Sequence, residues 1–169
     1  CDPIDGCGHP NIIYSPFGFP NFTQGDGGTT PPVSPFTPEY QAILAYATLQ
    51  GYALPSAGVQ TLQNQLVIDL KAAGIWVELD VFYNFVAGGD HNFAKINWKA
   101  PGTFQAIGTG HEPTYIPMSG FKGNGTTQFL NTQWAQNVGV NYKLNDACVI
   151  IDINSADASL GYDIGVEDS

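Results

Sequence analysis

The stretch from Thr37 to Ala87 reads TPEYQAILAYATLQGYALPSAGVQTLQNQLVIDLKAAGIWVELDVFYNFVA and predicts three consecutive helices. Thr37 suits the N-cap of the first helix, because its hydroxyl can accept from a free backbone N–H of the first turn. Pro38 fits the first helical position, where a missing donor costs nothing. One helical face is predicted from Tyr40, Ile43, Leu44 and Ala47. Gly51 predicts the end of this helix, since glycine adopts the left-handed conformation without steric cost.

The second helix is predicted to begin after Ser56 and to end at Gly74. Its predicted buried side is the apolar one, which comprises Val59, Leu62, Leu66, Leu70 and Ala73. A third, shorter helix is predicted before Gly88 and Gly89, with an apolar side made of Leu79, Phe82, Tyr83 and Val86. The short connections predict neighbours that are antiparallel or steeply crossed.

Residues 1–36 are rich in proline, which fixes φ and removes backbone donors, so no regular helix or inner strand is expected there. This segment is nevertheless too apolar for a solvated tether. We predict an extended anchoring arm that docks its apolar side chains on another protein or a neighbouring subunit. The docking side chains are predicted to be Ile12, Tyr14, Phe17, Phe19 and Phe22.

After Gly89 the pattern changes from helical spacing to alternation, which predicts antiparallel strands. The predicted strands are Asn92–Lys99, Phe104–Ile107, an edge strand at Thr114–Met118, Thr127–Thr132, Ala147–Ile153 and Leu160–Val166. Gly120–Gly125 is predicted to be a turn. The unbroken apolar run at Ala147–Ile153 predicts burial on both faces. The predicted fold is therefore α+β, with an arm at 1–36, a three-helix module at 37–88 and an antiparallel β-sandwich at 89–169.

The composition argues against nucleic acid as a partner and favours one class of protein. The chain has 5 basic and 15 acidic residues and a net charge of −10. Nucleic-acid binding is not expected, because it depends on Lys and Arg displacing counterions from phosphates. No apolar run is long enough to span a bilayer, so no transmembrane segment is predicted. Low charge together with many Gly, Asn, Thr, Pro and aromatic residues is typical of extracellular or virion β-proteins.

The cysteines leave two questions open. Cys1 and Cys7 are spaced so that they can pair, but the same spacing suits two free thiols. Cys1 is also a candidate for the lipid-bearing first residue of a mature bacterial lipoprotein. The alternative is that the recorded sequence simply begins at this residue.

No catalytic or metal-binding motif is found, so the chain is predicted to be non-enzymatic, without a cofactor or a metal. The three histidines, His9, His91 and His111, are far apart, and a surface-loop position is the expected role of each. Glu78 and Asp80 lie close together but are predicted to be solvated residues of the helical module. A calcium site remains an open alternative near the end of the chain. Its candidate ligands are Asp152, Asp157, Asp163, Glu167 and Asp168.

Aromatic residues supply the candidate binding site. Trp98, Trp134, Tyr115 and Tyr142 are predicted to form a platform for glycans, because aromatic faces pack against the C–H surfaces of sugars. A place in the hydrophobic core is the alternative for each of them.

Two stretches resemble known families. PEYQAILAYATLQGYALPSAGVQTLQNQLVIDLKAAGIWVELDVFYNFVA, with the NFAKINWK that follows, resembles a helical module in tail, fibre and other virion proteins of phages that infect Bacteroidetes-type bacteria. GFKGNGTTQFLNTQW and NYKLNDACVIIDINS resemble the opening strands of a concanavalin A-like, or laminin-G-like, jelly roll. Phe121, Gly123 and Gly125 match the F-x-G-x-G phrase that precedes the first strand in that family.

The second resemblance implies a two-sheet sandwich, but the residues after Gly120 are too few to form one. A two-sheet sandwich takes roughly 100 residues, and about 50 follow Gly120. The chain is therefore a fragment of a longer product, or strands from 92–118 or from neighbouring copies complete the sheet. No calcium or sugar ligands are carried over from the family.

The resemblances imply a structural and attachment protein of a phage virion. The arm would anchor it to other virion proteins, the helices would act as a spacer in a homo-oligomer, and the sandwich would contact host-surface glycans. The first alternative is a bacterial surface lipoprotein that binds polysaccharide and is anchored through Cys1. The second is a jelly-roll glycoside hydrolase, against which the missing carboxylate pair argues.

Overall fold

The structure is a computed structural model and describes residues 34–143 and 145–152. Predictions made for 1–33 and for 153–169 lie outside the described residues. These include the docking side chains of the arm, Cys1, Cys7, His9, the strand Leu160–Val166, and the calcium candidates Asp157, Asp163, Glu167 and Asp168.

The described part of the chain is a mixture of helix and strand. It contains four helices, α1 (Pro38–Gln50), α2 (Ala57–Ala72), α3 (Ile75–Glu78) and α4 (His91–Ala94). It also contains two strands, β1 (Thr114–Ile116) and β2 (Gly120–Lys122), and a short 3-10 turn at Gln136–Val138. None of these helices is long and apolar enough to cross a membrane.

The prediction for α1 is confirmed at both ends and on its buried face. The Thr37 hydroxyl accepts from the backbone N–H of Tyr40, and Pro38 occupies the first turn. Gly51 ends the helix in the left-handed conformation, with φ of 72°. The buried side chains are Tyr40, Ile43 and Ala47, and Leu44 packs against the same core while remaining partly exposed.

For α2 the predicted ends are close to those observed. The predicted buried face is wrong for Leu62 and Leu66, whereas Leu70 packs against the core while remaining partly exposed. Ser56 occupies the N-cap position without a side-chain hydrogen bond to the helix, and Gly74 follows the helix with φ of 72°. Leu62 is 69% exposed, and Leu66 is also exposed to solvent. The buried residues of this helix are Gln63, Asn64 and Val67.

Two polar side chains on α2 face the core because the neighbouring segments supply hydrogen-bond partners for them. The Gln63 carboxamide accepts from the Tyr40 hydroxyl at 2.6 Å and donates to the carbonyl of Ala87. The Asn64 carboxamide oxygen accepts from the Thr37 backbone N–H at 2.8 Å. Buried polar groups are tolerated when they are paired in this way, and Leu62 and Leu66 are left towards solvent.

The predicted third helix and the predicted strand Asn92–Lys99 are both wrong. The third helix is a single turn that ends at Glu78, before all four of the apolar residues predicted to form it. The segment after it contacts Asn97, whose carboxamide oxygen accepts from the Phe82 N–H at 3.1 Å and which forms an isolated antiparallel bridge with Tyr83. The start of the predicted strand is instead helix α4, because the Asp90 carboxylate caps the N–H groups of Asn92 and Phe93.

One hydrophobic core contains residues from both sides of the predicted boundary at Gly88. Trp98 lies at its centre, with its ring 5.8 Å from that of Tyr40 and 5.5 Å from that of Phe82. The core therefore joins the two long helices to the segment that follows Gly88–Gly89. Its buried members are Tyr40, Ile43, Ala47, Val67, Trp76, Ala87, Phe93, Ala94, Ile96 and Trp98.

The sheet of the described residues consists of two short antiparallel strands. Thr114 pairs with Lys122, and Ile116 pairs with Gly120. The predicted strand at Thr114–Met118 is thus confirmed over its first three residues. The predicted turn at Gly120–Gly125 is wrong at its start, because Gly120–Lys122 is β2 and the chain reverses at residues 117–119.

The other predicted strands are not formed as strands in the described residues. Ile107 and Asn131 form an isolated antiparallel bridge. No other pairing joins the two segments predicted to be the strands Phe104–Ile107 and Thr127–Thr132. Residues 147–152 have no strand structure, and Ile150 is 85% exposed. The prediction of a doubly buried strand is therefore wrong for this part of it, because no described segment covers either face.

Candidate glycan-binding surface

The structure brings together two of the four predicted platform residues. The rings of Trp134 and Tyr142 meet edge to face, with centroids 5.3 Å apart and planes at 81°. Both side chains are half-buried, so each is supported by the protein and still reaches solvent. Such an edge-to-face pair is a favourable arrangement for aromatic rings.

Of the other two predicted platform residues, Tyr115 packs against Phe121, with ring centroids 5.0 Å apart. Trp98 also lies elsewhere. Its side chain is 1% exposed and belongs to the hydrophobic core. A ring without an exposed face cannot stack on a sugar. The prediction of a glycan contact for Trp98 is therefore wrong, and the alternative, a place in the hydrophobic core, is correct.

The loop that carries Tyr142 is held by the carboxylate of Asp80. Its Oδ1 accepts from the backbone N–H of Val140 at 2.9 Å, and its Oδ2 accepts from that of Tyr142 at 2.8 Å. The N–H of Asn141 lies 3.0 Å from Oδ1 and 3.1 Å from Oδ2. We call this arrangement the Asp80 clasp. Hydrogen bonds to an ionised acceptor are stronger than neutral ones, so the clasp fixes the loop beside the aromatic pair.

The pKa of the Asp80 carboxyl reflects this arrangement. Loss of solvation raises the pKa, but hydrogen bonds from the N–H groups of Asn141, Tyr142 and Val140, together with the charge of Lys99, outweigh that effect. The net result is a pKa below the ordinary value. The ionised form is therefore the one that holds the loop.

Glycine is required where the clasp and the aromatic pair meet. A Cβ atom on Gly139 would lie 2.8 Å from Asp80 Oδ2 and 3.0 Å from a ring carbon of Trp134. It would also lie 2.9 Å from Cβ of Tyr142. These separations are below ordinary carbon contact distances, so any other residue would push the loop away from the carboxylate.

The same loop is joined to α3 by a second contact. The Asn141 side chain donates to the carbonyl of Val77 at 3.0 Å. Nearby, the Lys99 ammonium donates to the carbonyl of Trp76 at 2.5 Å and lies 4.9 Å from the centre of its ring. The loop beside the aromatic pair is thus joined to α3 as well as to Asp80.

The role of Asp80 was missed in the sequence, where it was predicted to be a solvated helical residue. It lies beyond the end of α3, because that helix ends at Glu78. The available signal was Gly139, which allows close backbone approach and is followed by three successive N–H groups, those of Val140–Tyr142, that form a suitable cradle for an anion. Sequence alone does not say which carboxylate occupies such a cradle.

The histidines and acidic residues of the described part of the chain form no group of three that could hold a metal ion. The His111 ring is stacked on Phe129 with centroids 5.1 Å apart, and its Nδ1 lies 2.9 Å from the carbonyl of Thr127. Within 34–143 and 145–152, no group of three side chains is arranged to hold a metal ion. Asp152, the one described calcium candidate, is exposed.

An exposed apolar groove beside α2 was also missed, because its residues were assigned to the core. It has a volume of about 190 Å³ and continues from the solvent-facing side of α2 onto the segment before β2. No charged side chain lines this groove. Its lining residues are Val59, Leu62, Gln63, Leu66, Asn84, Val86 and Met118.

Comparisons of the chain with models of protein families, with curated proteins and with solved structures found no match. The resemblances to a phage virion module and to a concanavalin A-like jelly roll therefore stay predictions.

Proposed function

We propose that this chain is a non-enzymatic structural and attachment component of a phage particle, which binds host-surface glycans through the Trp134–Tyr142 pair. The observation that carries the proposal is this pair of half-buried rings, which is held beside a loop fixed by the Asp80 clasp. Side chains positioned in advance bind with a smaller loss of conformational entropy. The finer prediction of a jelly roll is part of the proposal, and its further strands would come from residues beyond those described or from neighbouring copies.

Assembly is the second part of the proposal. The apolar groove beside α2 is the surface that we assign to a second copy of this chain, as expected for a homo-oligomeric virion protein. Contiguous apolar surface of this kind is typical of interaction sites. The arm at 1–36 would anchor the assembly to other virion proteins through its aromatic side chains.

Glycan binding is tested with the full chain on an array of bacterial surface polysaccharides. We expect binding to a subset of glycans and its loss in Trp134→Ala, with binding retained in the control Leu49→Ala, whose side chain is 81% exposed on α1. Equal binding by both variants would contradict the role of the aromatic pair.

Location is tested by mass spectrometry of purified particles. The proposal expects peptides of this chain in virions at a stoichiometry of several copies. Absence from virions would contradict it, and an acyl-modified N-terminal peptide in a bacterial membrane fraction would support the lipoprotein alternative instead.

Oligomerisation is tested by sedimentation of Leu62→Asp, which places a charge in the groove. We expect this variant to shift towards monomer, while Leu49→Asp keeps the state of the unmodified chain. An unchanged sedimentation coefficient for Leu62→Asp would remove the groove from the interface.

A further inference from the structure

A polar cleft shares no lining residue with the apolar groove or with the Trp134–Tyr142 pair. It is open to solvent, has a volume of about 440 Å³, and is formed where the start of α4 faces the segment leading into β1. This volume is within the usual range for sites that bind small molecules. Its lining residues are Asp90, His91, Glu112, Pro113, Tyr115 and Pro117.

The Glu112 carboxylate is held at the edge of this cleft. Its Oε1 accepts from the Lys95 ammonium at 2.6 Å, and the Lys95 side chain is only 8% exposed. A buried ammonium requires a partner, so this ion pair keeps the carboxylate in place. The backbone adds a second constraint, because a Cβ atom on Gly108 would lie 2.6 Å from Cα of Glu112.

The carboxylates of Asp90 and Glu112 differ in how many of their lone pairs remain free to accept a hydrogen bond from a ligand. Asp90 is occupied by the protein, since its carboxylate accepts from the N–H groups of Ala53, Asn92 and Phe93. Glu112 accepts from Lys95 alone among the described residues, so it keeps free lone pairs on Oε2. The His91 ring is half-exposed, and its Nε2 lies 4.0 Å from Glu112 Oε1, which is too long for a hydrogen bond.

The remaining walls are apolar and fixed. The Tyr115 hydroxyl donates to the carbonyl of Gly88 at 3.1 Å, and its ring lies 5.0 Å from that of Phe121. Pro113 and Pro117 add ring surfaces without backbone donors. The cleft therefore combines a few placed polar groups with flat apolar surface.

We propose that this cleft binds one neutral sugar unit of a glycan, with a sugar hydroxyl donating to Glu112 and the ring lying against Tyr115 and the prolines. The proposal rests on the proposed function in that it takes glycans as the ligand class, but it assigns them a second site. A calcium ion needs six or more oxygen ligands, and Glu112 alone has a carboxylate oxygen left. An anionic ligand is disfavoured by the carboxylates and by the net charge of −10.

The test is an NMR titration of the full chain with glucose, galactose, mannose and N-acetylglucosamine, monitored by backbone amide shifts. We expect at least one sugar to shift the amides of His91, Glu112 and Tyr115. The expected loss of affinity is tenfold or more in Glu112→Gln and severalfold in His91→Ala. His91→Ala changes a half-exposed side chain, so it preserves the fold even if Glu112→Gln weakens it by leaving Lys95 unpaired.

The controls separate this proposal from the proposed function. Glu78→Gln removes an exposed carboxylate elsewhere and is expected to bind as the unmodified chain does, and Trp134→Ala is expected to keep the cleft shifts. Sugar-induced shifts confined to Trp134 and Tyr142 would overturn the cleft while leaving the aromatic site intact. Cleft shifts that survive in both Glu112→Gln and His91→Ala, or the absence of shifts with all four sugars, would also overturn it.

Discussion

The region from Thr37 to Lys99 and the region from Phe104 to Lys143 are held together by different forces. The first buries a continuous set of aromatic and aliphatic side chains around Trp98. The second contributes few fully buried residues and is held mainly by single polar contacts, such as the Asp80 clasp. Apolar burial is cooperative and insensitive to pH, whereas the Asp80 clasp weakens when the carboxylate of Asp80 is protonated. Stability and the candidate binding surface therefore reside in different parts of this chain.

The largest expected effect is that of Trp98→Ala in the core. Loss of this buried ring is expected to cost about 3–5 kcal/mol of the free energy of unfolding, because a cavity replaces its contacts. Leu49→Ala is the matched control and is expected to change stability by less than about 0.5 kcal/mol. Urea denaturation followed by circular dichroism measures both, and a loss below about 1 kcal/mol for Trp98→Ala would contradict the assigned core.

The second prediction concerns the polar residues that α2 buries. Gln63→Leu is expected to cost about 2 kcal/mol, because it leaves the Tyr40 hydroxyl and the Ala87 carbonyl without a partner. Gln65→Leu, one position further from the buried pair and exposed, is the control and is expected to be nearly neutral. If Gln63→Leu were stabilising in urea denaturation, the orientation of α2 would be wrong.

The third prediction separates the two regions. Asp80→Asn keeps the shape of the side chain but removes its charge, so it is expected to cost only about 1 kcal/mol of overall stability. Its main expected effect is local: the indole N–H signal of Trp134 should broaden or move, while those of Trp76 and Trp98 stay. Glu78→Gln is the control, and equal disturbance of all three indole signals would contradict a clasp that acts only on the second region.

Lowering the pH should act as Asp80→Asn does. The pKa of Asp80 is below its ordinary value in the folded chain, so its stabilising contribution is present above the unfolded-state pKa of about 3.9. That contribution is lost as the pH falls through the folded-state pKa. We expect the Trp134 indole signal to titrate in this acidic window in the unmodified chain but not in Asp80→Asn. A Trp134 signal that titrates identically in both would assign the effect to another carboxyl.

The smallest expected effect compares two helix starts. Thr37→Ala removes a hydroxyl that accepts from Tyr40 N–H and is expected to cost about 1 kcal/mol. Ser56→Ala removes a hydroxyl with no bond to α2 and is expected to cost less than half of that. Thermal unfolding of the two variants measures the difference, and equal costs would show that the hydroxyl bond of Thr37 is not what stabilises α1.

Sequence reasoning succeeded where local rules and burial agree. The ends of α1 followed from Thr37, Pro38 and Gly51, and its buried face followed from helical spacing. It failed on α2, because Gln63 and Asn64 find distant partners that no local pattern indicates. In the described residues after Gly89 it succeeded for Thr114–Ile116 but failed for the other predicted strands, because single contacts such as that of Asn97 with Phe82 take the place of strand pairing.

For the candidate site, composition indicated Trp134 and Tyr142, but not the carboxylate that holds their loop. Asp80 is about sixty positions away from that loop in sequence, and its role depends on where α3 ends. The polar cleft was missed for the same reason, since His91 and Glu112 are brought together by α4 and by the turn after Gly108.

One measurement tests the central claim that this chain presents a binding surface and does not transform its ligand. An oligosaccharide that binds on the array is incubated with the full chain, and proton NMR follows the Trp134 indole signal and the anomeric signals of the sugar together. The account predicts a dose-dependent shift of the indole signal with anomeric integrals that stay constant over days. New anomeric signals, or binding that leaves the Trp134 indole unshifted, would contradict it.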